Sequence, residues 1–300
     1  MGADDAGTVP AAAPDPRSNR LAALTGLRGV GALLIFGGHA IPWLEHTRLS
    51  GARRVLASGI TGVSFFFMLS GFVLVWGRTT RVPASTFYRR RFARVWPAHL
   101  TVVAVVCALA VLEGERLAAG PLAASLLLVQ SWVPRARYYF GVNGVAWSLS
   151  CEVFFYALSP WLLPALGRLQ RRSRRYLLAA LVAAAFVPPA LFPHHDVEFA
   201  NTHAWFTYIF PVTRLLEFCA GALVAHEMLD GGWRWAELRW TVPPALAAFV
   251  VAGYFPFTFG VAAITMFPFL ALMAALVNHE AQGRRASRRP DRPGGAAARG

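Results

Sequence analysis

The apolar residues of this chain gather into nine runs, at about 21–44, 59–77, 97–113, 118–133, 147–166, 176–193, 206–228, 240–255 and 257–277, joined by short polar connections. Runs of roughly 16–24 residues match the length a helix needs to cross about 30 Å of hydrocarbon. In lipid a segment must satisfy its backbone N–H and C=O groups internally, and a helix does so within one run. The pattern predicts an all-α, polytopic transmembrane helix bundle of about 8–10 apolar helices. No internal repeat is visible. Three parts follow: 1–20 as a disordered cytosolic N-terminus, with Asp4, Asp5, Asp15 and three prolines and no apolar core of a signal peptide; 21–277 as the transmembrane domain; and 278–300 as a disordered basic tail rich in Arg, Gly and Pro.

Composition strengthens this reading. Hydrophobic residues make up 56% of the 300 and charged residues only 15%, too few to cover the surface of a soluble globule of this size. The formal net charge is +14, and all 29 basic residues are arginine. The arginines stand between apolar runs, as the positive-inside rule expects, so topology accounts for the charge and no nucleic-acid partner is expected. Arg17 and Arg20, the group Arg78–Arg94, the group Arg168–Arg175 and the basic tail are all expected on the cytosolic side. Two full crossings between 97 and 133 would put Arg168–Arg175 outside, so that stretch is expected to cross once. The cysteines, Cys107, Cys151 and Cys219, form no metal-ligand spacing, and no bound metal is expected.

Ionisable groups within spans are costly and mark candidate sites. Arg28 and His39 stand eleven residues apart in the first run, which places both on one helix face about 16 Å apart, with Arg28 towards the cytosol and His39 in the outer half. The fifth run opens with Trp147, Ser148, Ser150 and Glu152; Glu152 shares a face with Ser148 and Tyr156. If this span enters from outside, Glu152 and His39 occupy similar depths and suit a base with its orienting carboxylate. The plainer alternative is a carboxylate near a helix N-terminus, offset by the serines. Arg214 and Glu217 are expected to pair within their own helix, facing the bundle interior, with Gly221 allowing close helix contact. Arg91 and Arg94 share a face just before Pro97, where their guanidinium forks suit phosphate oxygens or serve topology and lipid headgroups. Ser70 and Gly71 read as small packing residues.

Taken together, these blocks resemble the membrane acyltransferase-3 family, which moves acyl groups onto sugars and other hydroxyl acceptors. The resemblance rests on Arg28-x10-His39, FFFMLSGF at Phe65–Phe72, Arg91-x-x-Arg94 before Pro97, WSLSCE at Trp147–Glu152 with Phe155–Tyr156, and RLLEFCAG at Arg214–Gly221. It covers about residues 21–225. The chain departs from the family at Cys151, where a small aliphatic residue is usual, and in lacking the family's final SYxxYL-like stretch after Phe267.

The resemblance implies that His39 takes the acceptor hydroxyl proton or assists acyl relay, with Glu152 supporting the catalytic face. It further implies that Arg28, Arg91 and Arg94 handle acyl-CoA near the cytosol. Ser70, Trp147, Ser148, Ser150, Tyr156, Arg214 and Glu217 are expected to contact substrate or support the site. Chemistry favours the same division, because CoA phosphates need arginines on the cytosolic side and a deprotonating histidine needs partial desolvation. The expected function is an integral membrane O-acyltransferase. Its co-substrate is acyl-CoA, with acetyl-CoA foremost, and its acceptor a hydroxyl of a carbohydrate or glycosylated metabolite. No permanently bound cofactor is expected. The expected location is a multi-pass position in a bacterial plasma membrane, with membrane lipid as a further partner. Two rivals remain: a proton-coupled transporter with His39, Glu152 and the Arg214–Glu217 pair as relay, and a truncated, inactive relative.

Overall fold

A computed structural model describes residues 22–39, 53–77, 82–192 and 201–286. Their regular structure is helical throughout. The chain forms α1 (Ala22–His39), α2 (Thr61–Trp76), α3 (Ala84–Leu112), α4 (Ala119–Leu126) and α5 (Trp147–Arg168). It continues with α6 (Arg171–Ala184), α7 (Pro211–Leu229), α8 (Leu238–Ala252) and α9 (Thr265–Ala286). Six helical stretches among the described residues are long and apolar enough to cross a membrane: Val55–Trp76, Ala84–Leu112, Trp147–Arg168, Arg171–Leu191, Thr202–Leu229 and Phe259–Gly283. The protein is a multi-pass membrane helix bundle.

Contacts between helices fix their directions. α1 and α2 are antiparallel, since Gly31 lies against Phe65 and Phe66 while Gly38 lies against Ile60. α2 and α7 are parallel and form the closest pair. A Cβ at Gly71 would overlap the carbonyl of Phe218, and one at Gly221 would overlap the carbonyl of Met68. Each glycine thus rests on the residue three before the other, the small-residue contact that lets apolar helices approach through their backbones. α5 also runs parallel to α7: Cys151 Sγ donates to the Ile209 carbonyl at 3.3 Å, Phe155 stacks on Phe218 with centroids 4.9 Å apart, and His226 Nε2 donates to the Leu163 carbonyl at 3.1 Å. α6 is antiparallel to α7, with its arginines at the Glu227 end and Ala185 beside Thr213. The core between these helices is aromatic: Phe67 packs edge-on against Phe155 at 5.2 Å and Trp147 at 6.2 Å.

The stretch 97–133 holds part of one helix long enough to cross a membrane. α3 absorbs it as far as Leu112, and α4 has eight residues, about 12 Å, too short to cross. His99 Nε2 donates to the Ser125 carbonyl at 2.9 Å and packs α4 onto α3. Past the end of the apolar run at 277, α9 continues to Ala286 through a polar sequence of good helix formers. The run from 257 opens with a π-helical turn, Phe259–Ile264, before α9 begins. The predicted N-terminal lead-in, Arg78, Arg81 and residues 287–300 lie outside the described residues.

Candidate active site

Four helices bring one set of predicted residues together. On α5, Tyr156 Oη donates to Glu152 Oε2 at 3.2 Å, one helical turn away. Ser70 of α2 lies beside the same phenol. From α3, the Arg91 guanidinium lies 5.2 Å from the centre of the Tyr156 ring and 5.5 Å from that of Phe87, a cation held against two aromatic faces. Tyr88 on the next position donates to the Ala157 carbonyl at 2.9 Å, which pins this turn of α3 to α5. Arg91, Arg28 and Arg94 all stand within electrostatic range of the Glu152 carboxylate. Arg28, Arg91 and Glu152 are half-buried, Ser70 and Tyr156 are buried, and Arg94 is exposed.

His39 does not join this group. Glu152 shares its site with Arg28, and Arg28 lies about 16 Å along α1 from His39, so the expected His39–Glu152 pair is not formed. Glu152 lies in the second turn of α5, whose N-cap residue is Ala146. Spacing along a chain gives a helix face, whereas relative depth depends on how α1 and α5 are staggered by their neighbours. His39 is exposed at the last turn of α1, where its Nδ1 donates to the Ile35 carbonyl at 2.8 Å. That bond leaves the Nε2 lone pair as the acceptor, the tautomer a general base requires.

The Arg214–Glu217 pair is where the spacing predicts. Arg214 Nη1 lies 3.0 Å from Glu217 Oε1, and both side chains are buried. Arg214 also donates to Ser64 Oγ at 3.3 Å and to the Thr207 carbonyl at 2.6 Å, and its guanidinium lies 5.5 Å from the centre of the Tyr208 ring. Tyr208 in turn packs on Trp147 at 4.6 Å. Ser64 donates onward to the Val261 carbonyl at 2.8 Å. Both accepting carbonyls, Thr207 and Val261, lie in π-helical turns, Trp205–Ile209 and Phe259–Ile264, where loosened backbone offers extra acceptors. A void of about 10 Å³ bordered by Thr207, Arg214, Glu217 and Thr258 has room for a single water. This network ties α2, α5 and α7 to the segment before α9. Trp147 is thus a packing residue, Ser148 Oγ closes a turn on the Val145 carbonyl at 3.1 Å, and Ser150 is buried at the start of α5.

One cluster is invisible to motif spacing. Arg171, Arg174 and Arg175 converge on Glu227, whose side chain is buried, and Arg174 also meets Asp230. Its signal in the sequence is a pair of acids near the end of one apolar run, opposite the arginines of another. Among the described residues no group of His, Cys, Asp and Glu is arranged to hold a metal ion.

The family model described as "Acyltransferase domain" matches residues 21–289. Acyltransferase MdmB of Streptomyces mycarofaciens is 32% identical over 285 residues, spanning 90% of this chain and 73% of that protein. No solved structure matches the chain. These matches set aside transport as the activity and make this an acyl-transferring enzyme: the chain belongs to the acyltransferase-3 family.

Proposed function

We propose that this protein is an integral membrane O-acyltransferase that moves an acyl group, acetyl foremost, from acyl-CoA to a hydroxyl of a carbohydrate or glycosylated metabolite, in the plasma membrane of a bacterium. The observation that carries the reading is the surplus of positive charge around Glu152. Arg28, Arg91 and Arg94 exceed the single carboxylate by two charges, with Arg28 and Arg91 half-buried among apolar helices. A surplus of that kind is costly without an anion, and guanidinium forks pair with phosphate oxygens. The phosphates of CoA fit that need.

The rest of the chemistry falls to the other end of α1. His39 Nε2 takes the proton of the acceptor hydroxyl as that oxygen adds to the thioester carbonyl. Collapse of the adduct breaks the C–S bond and leaves the new ester, and the proton passes from His39 to the CoA thiolate. The long pantetheine arm of the donor spans the distance from the arginines to His39. Glu152 and Tyr156, bonded to each other and set against Ser70, hold the Arg91 guanidinium in place and act on the donor side of the reaction.

Mass spectrometry of cell-envelope glycans and secreted metabolites, with and without the gene, tests the proposal. The expected difference is one acyl group on a hydroxylated product. Identical profiles, together with no transfer from acyl-CoA by the purified protein, would refute it.

A further inference from the structure

A cavity of about 600 Å³ that shares no lining residue with the Glu152 site lies at the arginine-rich end of α6. Arg175 and Glu227 stand at its charged end, with Trp233 and Trp235 beside them. Leu178 and Val182 on α6 continue it along the helix axis towards Phe267 of α9. Positions 175, 178 and 182 follow the i, i+3, i+7 stripe of one helical face, so the cavity runs roughly 10 Å from charge into apolar wall.

The charged end is assembled by a buried acid. Glu227 is 1% exposed in its side chain, and its Oε2 receives Nε of Arg175 at 3.0 Å and of Arg171 at 3.5 Å. Engaging each fork through Nε leaves the outer nitrogens of Arg175 without a partner among the described residues. Arg174 is taken up by Glu227 and Asp230. Three arginines thus meet two carboxylates, and the remaining charge is presented on the two exposed side chains, Arg171 and Arg175.

The aromatic wall is held in a costly conformation. Trp233 has φ of +58°, a left-handed backbone that a bulky residue rarely adopts. Asn278 Nδ2 secures it by donating to the carbonyls of Trp233 at 2.8 Å and Ala236 at 3.0 Å. The result is a pair of stacked indoles, 5.3 Å apart, at the mouth of the cavity.

We propose that this cavity binds an anionic glycerophospholipid from the leaflet at the arginine-rich end, its phosphate on Arg171 and Arg175 and one acyl chain along Leu178, Val182 and Phe267. The charge fits one phosphate, the indoles fit the headgroup level, and the wall fits a hydrocarbon chain. The inference does not depend on the donor or acceptor of the acyl transfer.

The test counts lipid retained by the purified full chain after exposure to equal amounts of phosphatidylglycerol and phosphatidylcholine, read by native mass spectrometry. Phosphatidylglycerol is expected to be retained at least about 10-fold better, as charge-assisted bonds to phosphate imply. The double variant Arg171→Gln/Arg175→Gln should bring the ratio to about one. Trp235→Ala, which leaves the ion cluster intact, should lower it about 3-fold and stands in for the double variant if that one does not fold. Arg172→Gln, on the same helix but engaged with Tyr176, should leave the ratio unchanged. Equal retention of the two lipids by the unmodified protein would overturn the proposal. So would an equal loss in Arg172→Gln, which would mean bulk charge, or displacement of the lipid by acyl-CoA, which would mean a nucleotide site.

Discussion

Two arginine-bearing centres sit within the same bundle, and they differ in how their charge is answered. Arg214 faces a single carboxylate at 3.0 Å and two further acceptors, all supplied by the protein, and it is buried. Arg91 faces aromatic rings and a carboxylate that it shares with Arg28 and Arg94. This ion pair in the bundle core leaves Arg214 Nε and Glu217 Oε2 facing a void with room for one water and no larger ligand, and it locks the helices that contribute to it. An arginine in surplus waits for an anion. The contrast fits Arg214 and Glu217 to architecture, and the proposed function gives Arg28, Arg91 and Arg94 to the donor.

The largest expected effect breaks the closed centre. Arg214→Ala leaves Glu217 buried without its partner, at a cost of about 3–5 kcal/mol. Thermal unfolding in detergent should show the loss directly, and a variant that melts like the unmodified protein would remove the architectural role. Gly71→Ala acts on the same helix pair by another route. A methyl there meets the backbone carbonyl of Phe218, which no rotamer change relieves, and overpacking of this kind costs about 1–3 kcal/mol. Wild-type stability in that variant would mean α2 and α7 do not meet through backbone.

The surplus centre should respond in affinity with its fold intact. Arg91→Ala should raise the KM for acyl-CoA by roughly 10–100-fold, the equivalent of one charge-assisted bond to phosphate. Arg91→Lys should recover only part of this, since lysine keeps the charge and loses the fork. An unchanged KM at normal protein levels would return Arg91 to topology alone. The smallest effect is expected at Tyr156→Phe. It removes the hydroxyl that donates to Glu152 and should cost about 1 kcal/mol, near a 5-fold change in kcat/KM, without altering the melting temperature much. A change as large as that of Arg91→Ala would place the phenol in contact with substrate.

The two centres also differ in how far sequence alone discloses them. Arg214 and Glu217 are one helical turn apart, so their pairing follows from spacing, and Gly71 and Gly221 announce close packing by their size. The convergence of Arg28, Arg91 and Glu152 joins three helices, and only the motif resemblance placed those residues in one site. The expected pairing of His39 with Glu152 failed for the same reason, because helix stagger is a tertiary property set by contacts such as Tyr88 on Ala157 and Phe155 on Phe218. At the other end, the boundary at 277 marked where apolarity stops. Helical structure continues to Ala286 because Asn278 anchors that turn to Trp233 and because Ala, Gln, Glu and Arg favour helix in water as well.

The central claim is that α1 divides the labour, with donor binding at the Arg28 end and proton transfer at His39. The most direct measurement compares acyl-CoA binding with acyl transfer in purified His39→Ala. Binding should match the unmodified protein, and transfer should fall by about 10²–10⁴-fold. Full transfer in a folded His39→Ala variant, or a loss of acyl-CoA binding equal to that of Arg91→Ala, would contradict the division.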